Sequence, residues 1–151
     1  MAADLDRFLE ELQRRIDRET RATYSETVIK EFSEPKNVGR LAEPDAHAVV
    51  RGWCGDTMEI YLRFAGETIG EATFMTDGCG PTVACGSALT TMVTGMLLKA
   101  ARRIRPERLI EALGGLPEES VHCAELAVRT LQEAIANRPC AEDEASASRP
   151  E

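Results

Sequence analysis

The sequence predicts an α+β domain in which helices cover a three-stranded antiparallel sheet. Apolar residues recur at helical spacing before and after a central segment, residues 46–76. Within that segment three runs have strand character instead, and only short links separate them. Strands joined by short links pair antiparallel, and the apolar face of such a sheet needs helices to cover it.

Two amphipathic helices are expected before the sheet. The first covers residues 4–18, and the second runs from Tyr24 to Phe32 after a break near Glu19–Ala22. Proline and glycine in Pro35–Gly39 then end the helix. We expect both apolar stripes to dock on the body of the domain, with a partner or dimer surface as the alternative for the first. The first stripe consists of Leu5, Phe8, Leu9, Leu12 and Ile16.

Three strands are expected in the central segment. Ala46–Gly52 is a short β-prone run, and residues 57–64 alternate apolar and polar side chains, as a half-buried strand does. Ala65–Glu67 is a tight connection, after which Thr68–Thr76 returns as the partner strand. The apolar side chains of the middle strand are Met58, Ile60, Leu62 and Phe64.

Further helices are expected after the sheet. A segment rich in small and apolar residues predicts one long helix from about Pro81 to about Arg103. A short helix over Pro106–Leu113 and a last helix with a regular apolar stripe follow. Residues 138–151 have almost nothing to bury, which predicts a disordered tail with Cys140 as a bystander. The stripe of the last helix consists of Val121, Ala124, Val128, Leu131 and Ile135.

Length and charge limit the class of protein. A chain of 151 residues is expected to form one domain with its own core. The 26 acidic and 18 basic residues give a net charge of −8, which argues against binding to nucleic acid or to anionic membranes. No apolar run is long enough to span a membrane, and the polar N-terminus has no secretory signal, so we expect a cytoplasmic protein. Five cysteines, an odd number, argue against a complete disulfide framework and for reduced thiols.

The stretch Asp77–Ser87 carries the clearest chemical signal. Cys79 lies between Gly78 and Gly80, immediately before a helix expected to start at about Pro81. Unpaired N–H groups and the helix dipole at such a position stabilise a thiolate. The alternative is a glycine-rich turn with an incidental buried cysteine.

Two more cysteines occupy similar positions. Cys54 lies in the link between two predicted strands, and Cys123 lies in the first turn of the last helix. Together with Cys79, and with Asp56 or His122 as the fourth ligand, they would form a sulfur-rich set suited to Zn²⁺ or an iron–sulfur cluster. None of the spacings is the short Cys-x-x-Cys of a zinc ribbon, so unrelated buried cysteines remain the alternative.

Several candidates have a simpler interpretation. Asp56 is also a common turn residue, and His122 could cover the start of the last helix with its ring half exposed. His47 is expected to be a surface or core residue of a strand. Trp53 is expected to pack, with shielding of a site from water as the alternative, and Cys85 is expected to be a small core residue.

Five groups of residues stand in order across residues 23–137: Tyr24–Glu26, Pro35–Gly39, Cys54–Asp56, Gly78–Gly80 followed by Ser87–Thr90, and Leu116–Pro117 followed by His122–Cys123. Together they resemble the IscU/NifU-type iron–sulfur cluster assembly scaffolds, such as the N-terminal domain of NifU. The resemblance implies a compact α+β scaffold domain over residues 23–137, preceded by an amphipathic extension, residues 1–22, and followed by the tail.

The resemblance also implies a function. A transient iron–sulfur cluster, [2Fe–2S] with [4Fe–4S] as the alternative, would be built from iron and from sulfur supplied by a cysteine desulfurase. The cluster would then pass to acceptor apoproteins, so the protein is expected to be a carrier, monomeric or homodimeric, and not an enzyme. The isolated protein could also carry Zn²⁺.

Site residues follow from the matched motifs. Cys54, Cys79 and Cys123 match the family's cluster and persulfide cysteines. Asp56 matches its labilising aspartate, and His122 matches the histidine beside the last cysteine. An oxygen or imidazole ligand in place of a fourth thiolate should weaken the site, which suits delivery of the cluster.

The sequence departs from the IscU pattern in two places. Leu116–Ser120 has two acids and lacks the lysine of the family's chaperone-binding stretch, which argues against an Hsp70-type chaperone as a partner. Cys85 stands where many relatives have serine.

Three other functions compete with the scaffold interpretation. A stable zinc protein could use the same Cys, Asp and His side chains. A thiol enzyme would use Cys123 as nucleophile and His122 as base, but adjacent helical residues point about 100° apart, which disfavours their direct pairing. An electron-transfer protein is disfavoured because such proteins usually bind their cluster through four cysteines.

Overall fold

The computed structural model describes residues 2–53 and 55–138; Cys54 and the predicted tail from residue 139 onward lie outside the described residues. Three strands and six α-helices are assigned within these ranges. The strands are β1 (Ala46–Arg51), β2 (Thr57–Ala65) and β3 (Thr68–Thr76). The helices are α1 (Ala2–Thr23), α2 (Glu26–Ser33), α3 (Gly80–Val93), α4 (Leu98–Ala101), α5 (Pro106–Ala112) and α6 (Val121–Ala136). No helix in the described part of the chain is both long and apolar enough to cross a membrane.

The sheet is the predicted antiparallel meander, in the order β1-β2-β3. In its register Ile60 of β2 lies between Ala48 of β1 and Phe74 of β3, and all three side chains are buried. Because side chains alternate along a strand, this register sends Met58 and Leu62 to the same face. That face is the apolar face that the helices cover.

Two helices form most of the cover. α6 packs on β1 and β2, and α3 packs on β3, while α2 and α5 pack against these two helices. The close approach of α3 to the sheet depends on Gly86, since a Cβ atom there would overlap the ring of Phe74. The largest fully buried side chains include Phe74, Met58, Ile60, Leu62, Leu89 and Leu131. The predicted α+β class is therefore confirmed.

The long helix predicted from Pro81 to Arg103 is interrupted, so that prediction was wrong. α3 ends at Val93, and Gly95 follows with a φ of 87°, in the region that favours glycine. The Gly95 N–H donates to the Ile69 carbonyl at 2.6 Å, and the Ile69 N–H donates to the Met96 carbonyl at 2.9 Å. These bonds to β3 replace the helical bonds that the residue pattern predicts, and α4 begins only at Leu98.

The first helix differs from its prediction in packing. α1 is longer than the predicted residues 4–18 and none of its residues is buried, so the expected docking of its stripe on the domain was wrong. Its apolar side chains are 38–60% exposed. α2 does dock, through the fully buried Val28, and Ser25 caps it by accepting the Val28 N–H at 3.0 Å.

Candidate functional site

The described candidate residues lie at the starts of three secondary-structure elements. Asp56 precedes β2, Cys79 precedes α3, and His122 and Cys123 lie in the first turn of α6. α3 packs against both β3 and α6, which brings its first turn beside the other two segments. The packing that covers the sheet therefore also assembles the site.

Cys79 is the N-cap residue of α3, as the sequence predicts. Its backbone is extended and its side chain makes no capping hydrogen bond, while Pro81 lies in the first turn. Its thiol is exposed. The sulfur is therefore accessible at a helix start, where backbone N–H groups have no helical partners.

Asp56 lies in a turn that backbone hydrogen bonds stabilise. The Asp56 carbonyl accepts the Gly52 N–H at 2.7 Å, and Gly55 has a φ of 100°. The next residue, Thr57, donates its N–H to the carboxylate of Asp77 at 2.8 Å, which links this turn to the segment before Cys79. Two candidate segments are thus held together by direct contacts.

Thr82 joins Asp56 to Cys123. Its fully buried hydroxyl donates to Asp56 Oδ2 at 3.1 Å and lies 3.2 Å from Cys123 Sγ. A hydroxyl has one proton, so Thr82 can donate to only one of these two atoms at a time. Sequence reasoning missed Thr82, and a hydroxyl among small apolar residues in the first turn of a helix was the only signal available.

His122 lies next to the same sulfur. Its Nε2 is 3.8 Å from Cys123 Sγ. The two side chains thus approach each other, although adjacent helical residues point about 100° apart. The 3.8 Å separation is long for a hydrogen bond even with sulfur as acceptor. Trp53 meets the His122 ring edge-on, with ring centroids 5.6 Å apart. Because Trp53 is 85% exposed, the expectation that it is a packing residue was wrong.

Two candidates are settled as structural. Cys85 is fully buried in the core, as expected. Burial raises the pKa of the Cys85 thiol, and the neighbouring thiols of Cys123 and Cys79 raise it further, so Cys85 stays protonated. His47 lies on the exposed face of β1 and stacks on the Tyr61 ring at 5.3 Å, as a surface residue.

The described residues contain part of the predicted ligand set. Asp56, Cys123 and His122 are linked through Thr82 and the Cys123 sulfur. Among residues 2–53 and 55–138, however, no group of three or more His, Cys, Asp or Glu side chains is close enough together to hold a metal ion. Cys54 lies outside these residues, so the complete ligand set remains a prediction.

Comparison with known proteins gives consistent matches. The family model described as "NifU-like N terminal domain" matches residues 23–144. The iron–sulfur cluster assembly scaffold protein IscU 1 of Archaeoglobus fulgidus is 37% identical over 113 residues, which are 74% of each chain. The IscU scaffold protein of Haemophilus influenzae is 37% identical over 119 residues, 76% of this chain and 94% of that one. The nitrogen fixation protein NifU of Azotobacter chroococcum is 40% identical over 117 residues, which are 38% of that longer protein.

Solved structures share the fold. A NifU-like N-terminal protein from Brucella abortus superimposes with a TM-score of 0.60 at 22% identity, covering 75% of this chain and 92% of that one. The SufU protein of Fervidobacterium islandicum gives a TM-score of 0.60 at 20% identity, with 74% and 96% covered.

Proposed function

The chain belongs to the family of NifU-like N-terminal domains, and we propose that it is a scaffold for iron–sulfur cluster assembly. Relatives named as iron–sulfur cluster assembly scaffold proteins match about three quarters of its length. In this proposal a transient cluster is assembled on residues 23–137 and passed to acceptor apoproteins, with residues 1–22 as an N-terminal extension. The cluster is the cargo of the protein, which acts as a carrier and not as an enzyme.

The observation that carries the proposal is the contact of Asp56 and Cys123 with one buried hydroxyl. It brings a carboxylate and a thiol from different elements to one point, beside the segment that ends at Cys79. We propose that Cys54, Asp56, Cys79 and Cys123 bind the cluster, with His122 as a substitute ligand. Thiolates suit iron, and one harder oxygen ligand among them favours release. We propose [2Fe–2S] as the cluster type, with [4Fe–4S] as the alternative.

Sulfur would arrive as a persulfide on a cysteine desulfurase. A scaffold thiolate attacks the outer sulfur of that persulfide, forms a new S–S bond and releases the desulfurase thiolate. Reduction of the new persulfide to sulfide takes two electrons, which an external electron donor supplies. The exposed Cys79 is the described thiol that such a partner can reach.

Anaerobic reconstitution tests the proposal. The protein is incubated with ferrous iron, cysteine, a dithiol reductant and a cysteine desulfurase, and the visible absorption of the cluster is recorded before and after addition of an apo-ferredoxin. We expect a cluster that forms and then moves to the acceptor. Cys54→Ser, Cys79→Ser and Cys123→Ser should each reduce its formation, whereas Cys85→Ser, the control for a buried structural thiol, should not.

A further variant and a test for bound zinc distinguish the scaffold from a structural zinc domain. Asp56→Ala should form a cluster that is lost more slowly than that of the wild type, because it removes the oxygen ligand. A protein that forms no cluster, retains zinc against a chelator and unfolds once the zinc is removed would contradict the proposal and indicate a structural zinc domain.

A further inference from the structure

Thr82 uses its hydroxyl differently from another buried threonine of this fold. Thr130 of α6 donates to the carbonyl four residues earlier, Leu126, at 2.7 Å, which is the usual partner of a helical threonine. Thr82 lies in the first turn of α3, so the residue four positions earlier, Gly78, precedes the helix. Its hydroxyl instead contacts Asp56 and Cys123.

Thr82 also packs beneath the segment that leads to Cys79. A Cβ atom on Gly78 would lie 2.7 Å from Thr82 Cβ and 2.8 Å from Thr82 Oγ1. Real Cβ atoms are essentially never that close to another heavy atom, so the glycine lets this segment pass directly over the threonine. Thr82 therefore touches or directly supports all three described segments that carry predicted cysteine or aspartate ligands.

We propose that Thr82 is a positioning residue for the cluster-binding site: its hydroxyl fixes Asp56 and Cys123 relative to each other without itself binding the metal. This inference rests on the proposed function. The two contacts, 3.1 Å to Asp56 Oδ2 and 3.2 Å to Cys123 Sγ, limit how far apart these atoms can lie. Thr82 can hold these two side chains in place because a β-branched side chain has a stiff χ1 angle and because Thr82 is fully buried.

The hydroxyl can serve this purpose both without and with a bound metal. With Cys123 protonated, Thr82 accepts from the thiol and donates to Asp56. Once Cys123 is a thiolate ligand, the same O–H can turn to donate to the sulfur or remain on the carboxylate. Groups that form hydrogen bonds to metal ligands commonly orient those ligands. Loss of such a group typically lowers metal affinity by about 10- to 100-fold.

Anaerobic titration with Co²⁺ tests the inference, because thiolate–cobalt charge-transfer absorption reports whether sulfur binds the ion. Thr82→Val keeps the shape but removes the hydroxyl, and it should weaken Co²⁺ binding by about 10- to 100-fold. Thr82→Ser keeps the hydroxyl and should bind Co²⁺ with an affinity near that of the wild type. Thr130→Val is the matched control, since it removes a buried hydroxyl that donates to the Leu126 carbonyl of the α6 backbone. It should lower the melting temperature without changing the Co²⁺ affinity.

The outcomes separate this inference from the proposed function. Unchanged or tighter Co²⁺ binding by Thr82→Val, or equal losses in Thr82→Val and Thr82→Ser, would overturn the positioning role. If Thr82→Val does not fold, as circular dichroism would show, the comparison of Thr82→Ala with Thr82→Ser decides in the same way. If Cys123→Ser binds Co²⁺ as tightly as the wild type, or the wild type does not bind it, the proposed site itself is wrong.

Discussion

Two described cysteines, Cys85 and Cys123, are both buried in the hydrophobic core, but different groups meet their sulfur atoms. Cys123 has Thr82 Oγ1 at 3.2 Å and His122 Nε2 at 3.8 Å, so polar groups meet its sulfur. Cys85 is fully buried among the apolar side chains of the same core. The residue type alone does not separate a proposed ligand from a structural cysteine here; the polar groups near the sulfur do.

The raised pKa of Cys85 predicts a pH dependence of stability. The folded thiol stays protonated while the unfolded thiol ionises around its usual value of 9.0, so above that pH the unfolded state binds fewer protons. The contribution of Cys85 to stability is therefore fully present below pH 9 and is lost as the pH rises, by at most about 1.4 kcal/mol per pH unit. Urea unfolding at pH 8 and pH 10 should show a smaller decrease in the free energy of unfolding for Cys85→Ala than for the wild type. Equal decreases would show that Cys85 does not remain neutral in the folded protein.

Residue-level prediction from the sequence had a clear limit. The motifs identify Asp56, Cys79 and Cys123 as candidates because their residue types and neighbours along the chain carry the signal. The roles of Thr82 and the exposure of Trp53 depend on which segments pack together, and no spacing along the chain reports that.

At the scale of elements, the sheet was predictable and the helix lengths were not. Alternation in β2 specifies which face is buried, since a shift of one residue would turn Met58, Ile60 and Leu62 toward the other face. The end of α3 depends instead on bonds between Gly95, Met96 and Ile69, which are distant in sequence. Helical periodicity continues through that point, so local reasoning extended the helix too far.

The exposed first helix leads to a prediction about stability. Because α1 buries none of its residues, deletion of residues 2–22 should change the free energy of unfolding by less than about 1 kcal/mol. Leu131→Ala, which truncates a fully buried side chain of α6, should cost about 2–5 kcal/mol in the same urea titration. A truncated protein destabilised as strongly as Leu131→Ala would show that α1 packs on the domain in solution.

At the scale of the whole molecule, the candidate site connects parts of the chain that are far apart in sequence. Asp56 precedes β2, Cys79 precedes α3, and Cys123 lies in α6, so the site spans the region from the sheet to the last helix. Unfolding would separate these segments. A metal ion bound by all of them would thus favour the folded state of the whole domain.

Zinc should accordingly stabilise the protein. An ion that binds only the folded state adds about 2.7 kcal/mol when its free concentration is 100 times the dissociation constant. We expect Zn²⁺ to raise the melting temperature of the wild type and a chelator to reverse the increase. Cys123→Ser should lose most of the increase, because it removes a proposed ligand, whereas Cys85→Ser should keep it, because Cys85 is not one of the proposed ligands. The same increase in the wild type and in Cys123→Ser would show that zinc binds elsewhere, and the assignment of Cys123 as a ligand would then be wrong.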